Sequence, residues 1–220
     1  MINFAAARRM MVDGQVRTAD VTDPRLLSAM LDVPRERFFP EDKASLAYLD
    51  IDVPVSEAGL PVRRLLKPMV LAKLIQAAGI AETDHVLDVG CATGYSTALL
   101  AHLAGSVVGL EEDRTLARQA AEMLAGAGAK NAKVATGPLA AGWAAEAPYD
   151  LILLEGATEV VPAALMEQLK IGGRLACIIG RGPGKATIYQ RTQTDFSGRA
   201  VFDAGASLLP GFAKPQEFVF

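Results

Sequence analysis

Asp88, Gly90, Gly94 and Glu111 are spaced as the parts of a ligand cradle would be. In "VLDVGCATGYSTALLA", residues 86–101, an apolar run carries Asp88 near its end, turns at Gly90 and Gly94, and passes at once into a helical pattern. The glycines permit close backbone approach, and the start of the helix presents free N–H groups to an anion. An acid two residues before the first glycine is a poor neighbour for a pyrophosphate. S-adenosylmethionine has no phosphate; it offers an ammonium and a carboxylate, which an acid and helix N–H groups suit together. Glu111 ends the next apolar run, "VVGLE", 21 residues after Gly90. A carboxylate there can accept both hydroxyls of a ribose, each charge-assisted bond contributing roughly 1.5–3 kcal/mol. Glu111 therefore supports a nucleoside without choosing its class, and Asp88 makes the choice. The competing reading is a glycine turn kept for packing, with Asp88 a solvated strand end whose change to Ala leaves affinity unaltered.

Other chemistry-bearing residues give less. His85 and His102 stand 17 apart with no Cys or acid at ligand spacing, so no metal site is expected. No Ser sits in a nucleophile-elbow sequence, and the glycine loop lacks a Walker lysine. "GRGPGKA" lies between two apolar runs and reads as a connection. Cys91 is a small filler whose backbone lines the loop, and Trp143 brackets an adenine or packs under the third strand.

The elements that position these residues follow from periodicity. The apolar runs "HVLDV", "SVVGL", "AKVAT", "DLILL" and "GRLACII" alternate with helical segments such as "TALLAHLA", "DRTLARQAAEMLAGAG" and "VVPAALMEQLK". That alternation predicts a doubly wound α/β domain with a mostly parallel sheet covered on both faces. The tail from "KATIYQRTQTD" to "PQEFVF" predicts two or more further strands at an antiparallel edge. Residues 1 to about 50 predict helices; "DPRLLSAMLDV" places Leu26, Leu27, Met30 and Leu31 on one face behind an Asp–Pro start. Pro54, Gly59, Pro61 and Pro68 mark a long irregular loop, and "MVLAKLIQAAGI" then predicts a helix stopping at Gly79. The organisation expected is a helical extension and active-site loop over 1–65, followed by a ligand-binding α/β domain over 66–220.

Composition bounds the class. The chain has 220 residues, 51% apolar and 21% charged, with a formal charge of −3. This acidic balance supplies no basic field for nucleic acid or an anionic membrane, so neither is expected as a partner. Two cysteines make no disulfide framework, and no apolar segment reaches the ~18 residues of a membrane span. The N-terminus meets charge before a signal-peptide core is complete, so a cytoplasmic location is expected.

The motifs "RTADVTDPRLLSAMLDVPRERFFP", "LAYLD", "VLDVGCATGYSTALLA", "APYDLILLEGA" and "LMEQLKIGGRLACIIG" together resemble the protein-L-isoaspartate O-methyltransferase family, from about residue 10 to about residue 180. The resemblance implies a class I, Rossmann-like methyltransferase fold with a seven-stranded sheet behind an N-terminal helical extension. It implies S-adenosylmethionine as cofactor, S-adenosylhomocysteine as product, and methylation of the free carboxylate of isoaspartyl residues in damaged proteins, presented in extended conformation. It places Asp88, Gly90, Cys91, Ala92, Gly94, Tyr95, Glu111, Glu112, Pro138, Leu139 and Glu155 around the cofactor, and Arg63, Arg64, Leu65 and Leu66 along the substrate.

The departures fall where chemistry would occur. "RRLLKP" puts Arg63 and Arg64 at the family's Gln and Thr positions and Leu66 at its Ser. Gly137, Pro138 and Leu139 replace Gly-Asp-Gly, and Glu155 stands where a Thr is expected. Asp88 for Glu and Ala92 for Ser or Gly are milder. An acceptor carboxylate is already ionised, so no general base is required and no catalytic residue is assigned. A pairing of Arg63 or Arg64 with Glu155 is expected to close the loop or reshape the acceptor pocket, the competing reading being three solvated charges. Two alternatives stay open: a methyltransferase with another acceptor, and a catalytically impaired module that binds an adenosyl ligand or a partner.

Overall fold

A computed structural model describes residues 2–56 and 62–215. Helix α1 (Phe4–Met11) starts where Asn3 Oδ1 accepts the Ala6 N–H at 3.0 Å, and it runs on into a wider helical turn over Val12–Val16. Helix α2 (Pro24–Asp32) has Pro24 in its first turn and Asp23 as its cap, accepting from Arg25 N at 2.9 Å. It buries Leu26, Leu27, Ala29 and Met30, while Leu31 sits at the edge of that face and is only partly covered. Within the expected irregular loop, two short strands pair antiparallel: β1 (Val53–Pro54) and β2 (Arg64–Leu65), with Val53 opposite Leu65 and Pro54 opposite Arg64. Gly59 and Pro61 of that loop lie outside the described residues. Helix α3 (Pro68–Ala78) follows and ends on Gly79, whose φ of +61° is the left-handed cap a helix terminus favours.

Seven strands form the main sheet: β3 (His85–Val89), β4 (Ser106–Glu111), β5 (Ala132–Thr136), β6 (Tyr149–Thr158), β7 (Leu169–Ile179), β8 (Gly184–Arg191) and β9 (Phe196–Ala204). Their order is β5-β4-β3-β6-β7-β8-β9. The pairs from β5 to β7 are parallel and the last two antiparallel, giving the expected antiparallel edge. The terminal "PQEFVF" contributes nothing here, since residues 216–220 lie outside the described residues. From β3 the chain winds to β4 and β5 on one side and returns to β6 on the other. The crevice beyond the carboxyl ends of β3 and β6 is therefore the switch point where α/β sheets bind ligands.

Helices α4 (Tyr95–Ala101) and α5 (Arg114–Gly126) follow β3 and β4. One apolar cluster joins the sheet to the N-terminal helices and α3, and a second covers the opposite face with Tyr149, Leu165, Leu209 and Phe212. Two boundaries differ from the sequence expectation. Helix α6 shrinks to Ala163–Glu167, because Leu169 already pairs with Tyr149 and starts β7. Strand β6 continues past Leu154 through a bulge between Leu153 and Ala157, and Ala157 forms a bridge to Leu208. Glu155 lies inside that bulge, the kind of irregularity that re-aims a side chain beside a site.

Candidate functional site

The β3–α4 turn is bound tightly to the end of β4. Gly90 N and Cys91 N both donate to Leu110 O, at 2.8 and 3.2 Å, and Gly94 N donates to Cys91 O at 2.8 Å. Gly90 and Gly94 have φ of +80° and +90°, and Ala92 accepts a φ of +50° between them, a left-handed backbone that costs a residue with a Cβ on the order of 1–2 kcal/mol. Ala92 N is thereby turned toward β4 and donates to Glu111 Oε2 at 2.8 Å.

Asp88 is fully buried at the floor of this turn. Its Oδ2 accepts from Ser96 Oγ at 2.7 Å and Thr97 Oγ1 at 2.6 Å, while Oδ1 has no partner. Burial pushes its pKa up to about 6; the two hydroxyls and Arg63 pull the other way, and Glu111 adds to the rise. Cys91 is buried beside it, and burial first, then Asp88 and Glu111, hold the thiol well above its ordinary range.

Glu111 has no exposed surface, and five donors point at it. Oε1 accepts from Glu112 N at 3.0 Å, Asp113 N at 3.2 Å and Arg63 Nε at 3.4 Å. Oε2 accepts from Ala92 N at 2.8 Å and Arg63 Nη2 at 3.0 Å. The same Nη2 donates to Gly90 O at 2.8 Å and stands 2.7 Å from where a Cβ on Gly90 would be, so the guanidinium lies across the glycine turn.

The strand alternation explains which arginine arrives there. Arg63 and Leu65 face inward, whereas Arg64 lies between them on the outer side and donates to Asp52 O at 3.2 Å. The expected pairing of either arginine with Glu155 does not form: Arg63 takes Glu111, and Glu155 has no ion-pair partner among the described residues. Glu111 wins because the turn amides already fix both its oxygens toward Arg63 in the fork geometry that a guanidinium fits.

Glu155 is buried nonetheless, and burial first, then the charge of Asp88, drives its pKa well above the usual carboxylate range; Arg35 and Arg63 oppose the rise. Arg35, which the sequence reading did not single out, is 1% exposed. Its Nε donates to Ala47 O at 2.8 Å and its Nη2 to Leu66 O at 2.7 Å, and its guanidinium lies 4.5 Å from the Tyr95 ring centre. Burial lowers its pKa. Leu66 thus contributes a carbonyl to Arg35 and buries its apolar side chain. The sequence carried no signal that separates Arg35, which is buried, from Arg37 in the same stretch "VPRERFFP", which is exposed.

Pro138 precedes a helical turn over Leu139–Ala141, and Leu139 is buried against Gly90. Gly137 N donates to Glu111 O at 3.1 Å, which holds this segment beside the end of β4. The Glu112 side chain is exposed. Trp143 packs against Gly137 from the second apolar cluster. Among the described residues no three His, Cys, Asp or Glu side chains could share a metal ion, and no helix is long and apolar enough to cross a membrane.

Four buried side-chain atoms at this crevice make no well-formed hydrogen bond: Asp88 Oδ1, Glu155 Oε1, and Arg35 Nη1 and Tyr95 Oη, which lie close enough to influence each other without meeting in good geometry. Buried polar atoms are normally satisfied, so a cluster of orphans calls for a polar ligand. Acceptors on two acids answer an ammonium, and donors on Arg35 and Tyr95 answer a carboxylate. The amino-acid end of S-adenosylmethionine matches that set in kind. Its ribose matches Glu111 in kind as well, once the Arg63 guanidinium is withdrawn.

A family model described as protein-L-isoaspartate(D-aspartate) O-methyltransferase matches residues 7–203. Among curated relatives, a protein-L-isoaspartate O-methyltransferase 1 from Rhodopseudomonas palustris (strain HaA2) is 36% identical over 192 residues, 87% of this chain and 77% of that protein. A protein-L-isoaspartate O-methyltransferase 2 from Anaeromyxobacter sp. (strain Fw109-5) is 40% identical over 176 residues, 80% and 70% of the two chains. A solved protein-L-isoaspartate O-methyltransferase shares the fold with a TM-score of 0.81 at 23% identity, covering 93% of this chain and 66% of that one. A second, from Plasmodium falciparum and in complex with S-adenosyl-L-homocysteine, aligns with a TM-score of 0.77 at 18% identity over 95% of this chain and 99% of its own.

Proposed function

This chain belongs to the protein-L-isoaspartate (D-aspartate) O-methyltransferase family, and from that premise we propose that it is an S-adenosylmethionine-dependent enzyme methylating the free carboxylate of isoaspartyl residues in damaged proteins. The observation that carries the reading is the set of four unpartnered atoms on Asp88, Glu155, Arg35 and Tyr95, gathered at the sheet's switch point beside Gly90 and Glu111. Protein repair in the cytoplasm is the setting this activity fits.

When bound, the cofactor supplies an activated methyl group on a sulfonium. The chain's own residues then divide the work. Asp88 Oδ1 and, as the carbonyl oxygen of a carboxyl that keeps its proton, Glu155 Oε1 would accept from an ammonium, while Arg35 and Tyr95 would donate to a carboxylate. Glu111 receives the ribose hydroxyls, and Pro138 and Leu139 wall the base. An isoaspartyl carboxylate is already ionised at neutral pH, so no side chain of this chain would need to remove a proton for it to accept the methyl group. The contribution asked of the protein is alignment, which alone can supply roughly 7–11 kcal/mol. The neutral form of Glu155, favoured by its burial, lessens repulsion of an anionic acceptor.

The buried Leu66 at the Ser position favours a second reading, a methyltransferase with a different acceptor. Methyl transfer to an isoaspartyl peptide, measured against the matched aspartyl peptide, separates the two. Transfer to the isoaspartyl peptide alone supports the first; cofactor binding with no transfer to either peptide supports the second.

A further inference from the structure

We propose that Arg63 is an internal competitor for the ribose subsite and sets how tightly this chain holds an adenosyl ligand. The inference deepens the reading above and rests on its assignment of Glu111 to the ribose.

The argument begins with the acceptor capacity of one carboxylate. Its two oxygens offer about four lone-pair sites. Five donors already converge on Glu111: three backbone amides and two nitrogens of Arg63. The amides belong to the turn and to the β4–α5 junction, and a ligand cannot displace them without unmaking the loop. Only the guanidinium can leave, and its departure vacates one contact on each oxygen, Nε on Oε1 and Nη2 on Oε2, to which a ribose hydroxyl can donate instead.

Space leads to the same conclusion as hydrogen bonding. Gly90 is where the backbone must be bare for a ligand to approach, and Arg63 Nη2 sits 2.7 Å from its missing Cβ while holding Gly90 O at 2.8 Å. Arg63 and Glu111 are 5% and 0% exposed in their side chains, so the guanidinium fills the subsite and excludes water from it. Ligand and guanidinium are mutually exclusive occupants.

The backbone of Arg63 is secured by bonds that do not involve its guanidinium. Val55 N donates to Arg63 O at 2.9 Å and Arg63 N donates to Ser56 Oγ at 3.1 Å. Exchange therefore needs rotation of the side chain alone. When a binding-competent form is a minor fraction, apparent affinity falls by that fraction. A net advantage of one charge-assisted bond for the closed form, the rest being offset by hydration of the released guanidinium, corresponds to a loss of about 10–100-fold.

Calorimetric titration of the full chain with S-adenosylhomocysteine tests this, using wild type, Arg63→Ala, Arg63→Gln and, as a charge control remote from the site, Lys185→Ala. Gln keeps a donor for Gly90 O and guards against a folding defect in the Ala variant. Both Arg63 variants are expected to bind about 10–100-fold more tightly than wild type, with Lys185→Ala unchanged. Tight binding by wild type with no gain in either variant overturns the competitor and leaves the cofactor reading standing. Absence of binding in every variant overturns the cofactor reading as well. A double-mutant cycle of Arg63→Gln and Glu111→Gln in urea unfolding, without ligand, reads the pair itself; zero coupling also overturns the proposal.

Discussion

Thr97 donates its hydroxyl to Oδ2 of Asp88 at 2.6 Å, while the other oxygen of that carboxylate has no partner. The helix that follows the glycine turn thus holds half of the acid that precedes it, and Oδ1 remains for a ligand. Because burial is the largest influence, the carboxyl titrates near 6, above its ordinary 3.8.

That shift has a definite sign. Between about pH 4 and pH 6 the folded chain keeps a proton that the unfolded chain has released, so stability falls as pH rises through this window and levels above it. Two units correspond to about 3 kcal/mol. Asp88→Asn keeps an acceptor for Ser96 and Thr97 and cannot ionise. Its stability relative to wild type should rise by about that amount from pH 4 to pH 7, measured by urea unfolding at each pH. A difference that stays level across the window would mean that Asp88 is ionised in the fold at ordinary cost.

Arg35 ties together two chain segments from full burial, donating to Ala47 O on one and to Leu66 O on the other. Arg35→Leu leaves both carbonyls without a donor, at about 1–3 kcal/mol each, so unfolding free energy should drop by about 2–5 kcal/mol. Arg35→Lys should recover little, since one ammonium cannot serve two carbonyls in the fork geometry and stack on Tyr95. Urea titration of the three proteins checks both.

Much of this architecture was legible because apolar runs of five or six residues separated by glycine turns have few other ways to be buried. Strand β3, the Gly90 turn and Glu111 at the end of β4 stand where the spacing puts them. The ends of β6 and α6 were not legible, because a bulge at Glu155 and an early strand start at Leu169 are set by neighbouring strands rather than by local pattern. Arg63 and Glu111 are 48 residues apart, and an arginine in a loop carries no label for its acid. The inward face of residue 63 is fixed by two-residue strands too short to show alternation. Arg35 was hidden for the opposite reason: a charged residue reads as solvated until carbonyls are seen to meet it.

Cys91 and Cys177 are both buried, and burial lifts Cys177 to about 12 and Cys91 well above its usual range. Neither holds appreciable thiolate at neutral pH, and thiolate is the reactive form. Native protein at pH 8 should take up no label from a disulfide reagent such as DTNB, and two equivalents after unfolding in urea. Rapid labelling of one thiol in the native state would place Cys91 in an open cofactor turn rather than a closed one.

Glu155 tests the acceptor side. Its carboxyl is held neutral by burial first and by the charge of Asp88 second, so it loses its proton only well above the ordinary carboxylate range. The folded pKa exceeds the unfolded one; stability is therefore greatest at acid pH and declines as pH rises toward the folded value. If the acceptor enters beside Glu155, ionisation would also set a negative charge against the carboxylate that approaches the methyl donor. Wild-type kcat/KM for an isoaspartyl peptide should accordingly fall on the alkaline side, and Glu155→Gln, which keeps shape and cannot ionise, should hold its value there. The fall should appear in kcat/KM, which reports the free enzyme, since that is the form in which Glu155 meets the incoming anion. If wild type and Glu155→Gln decline in parallel, another group governs the alkaline limb and Glu155 does not face the acceptor.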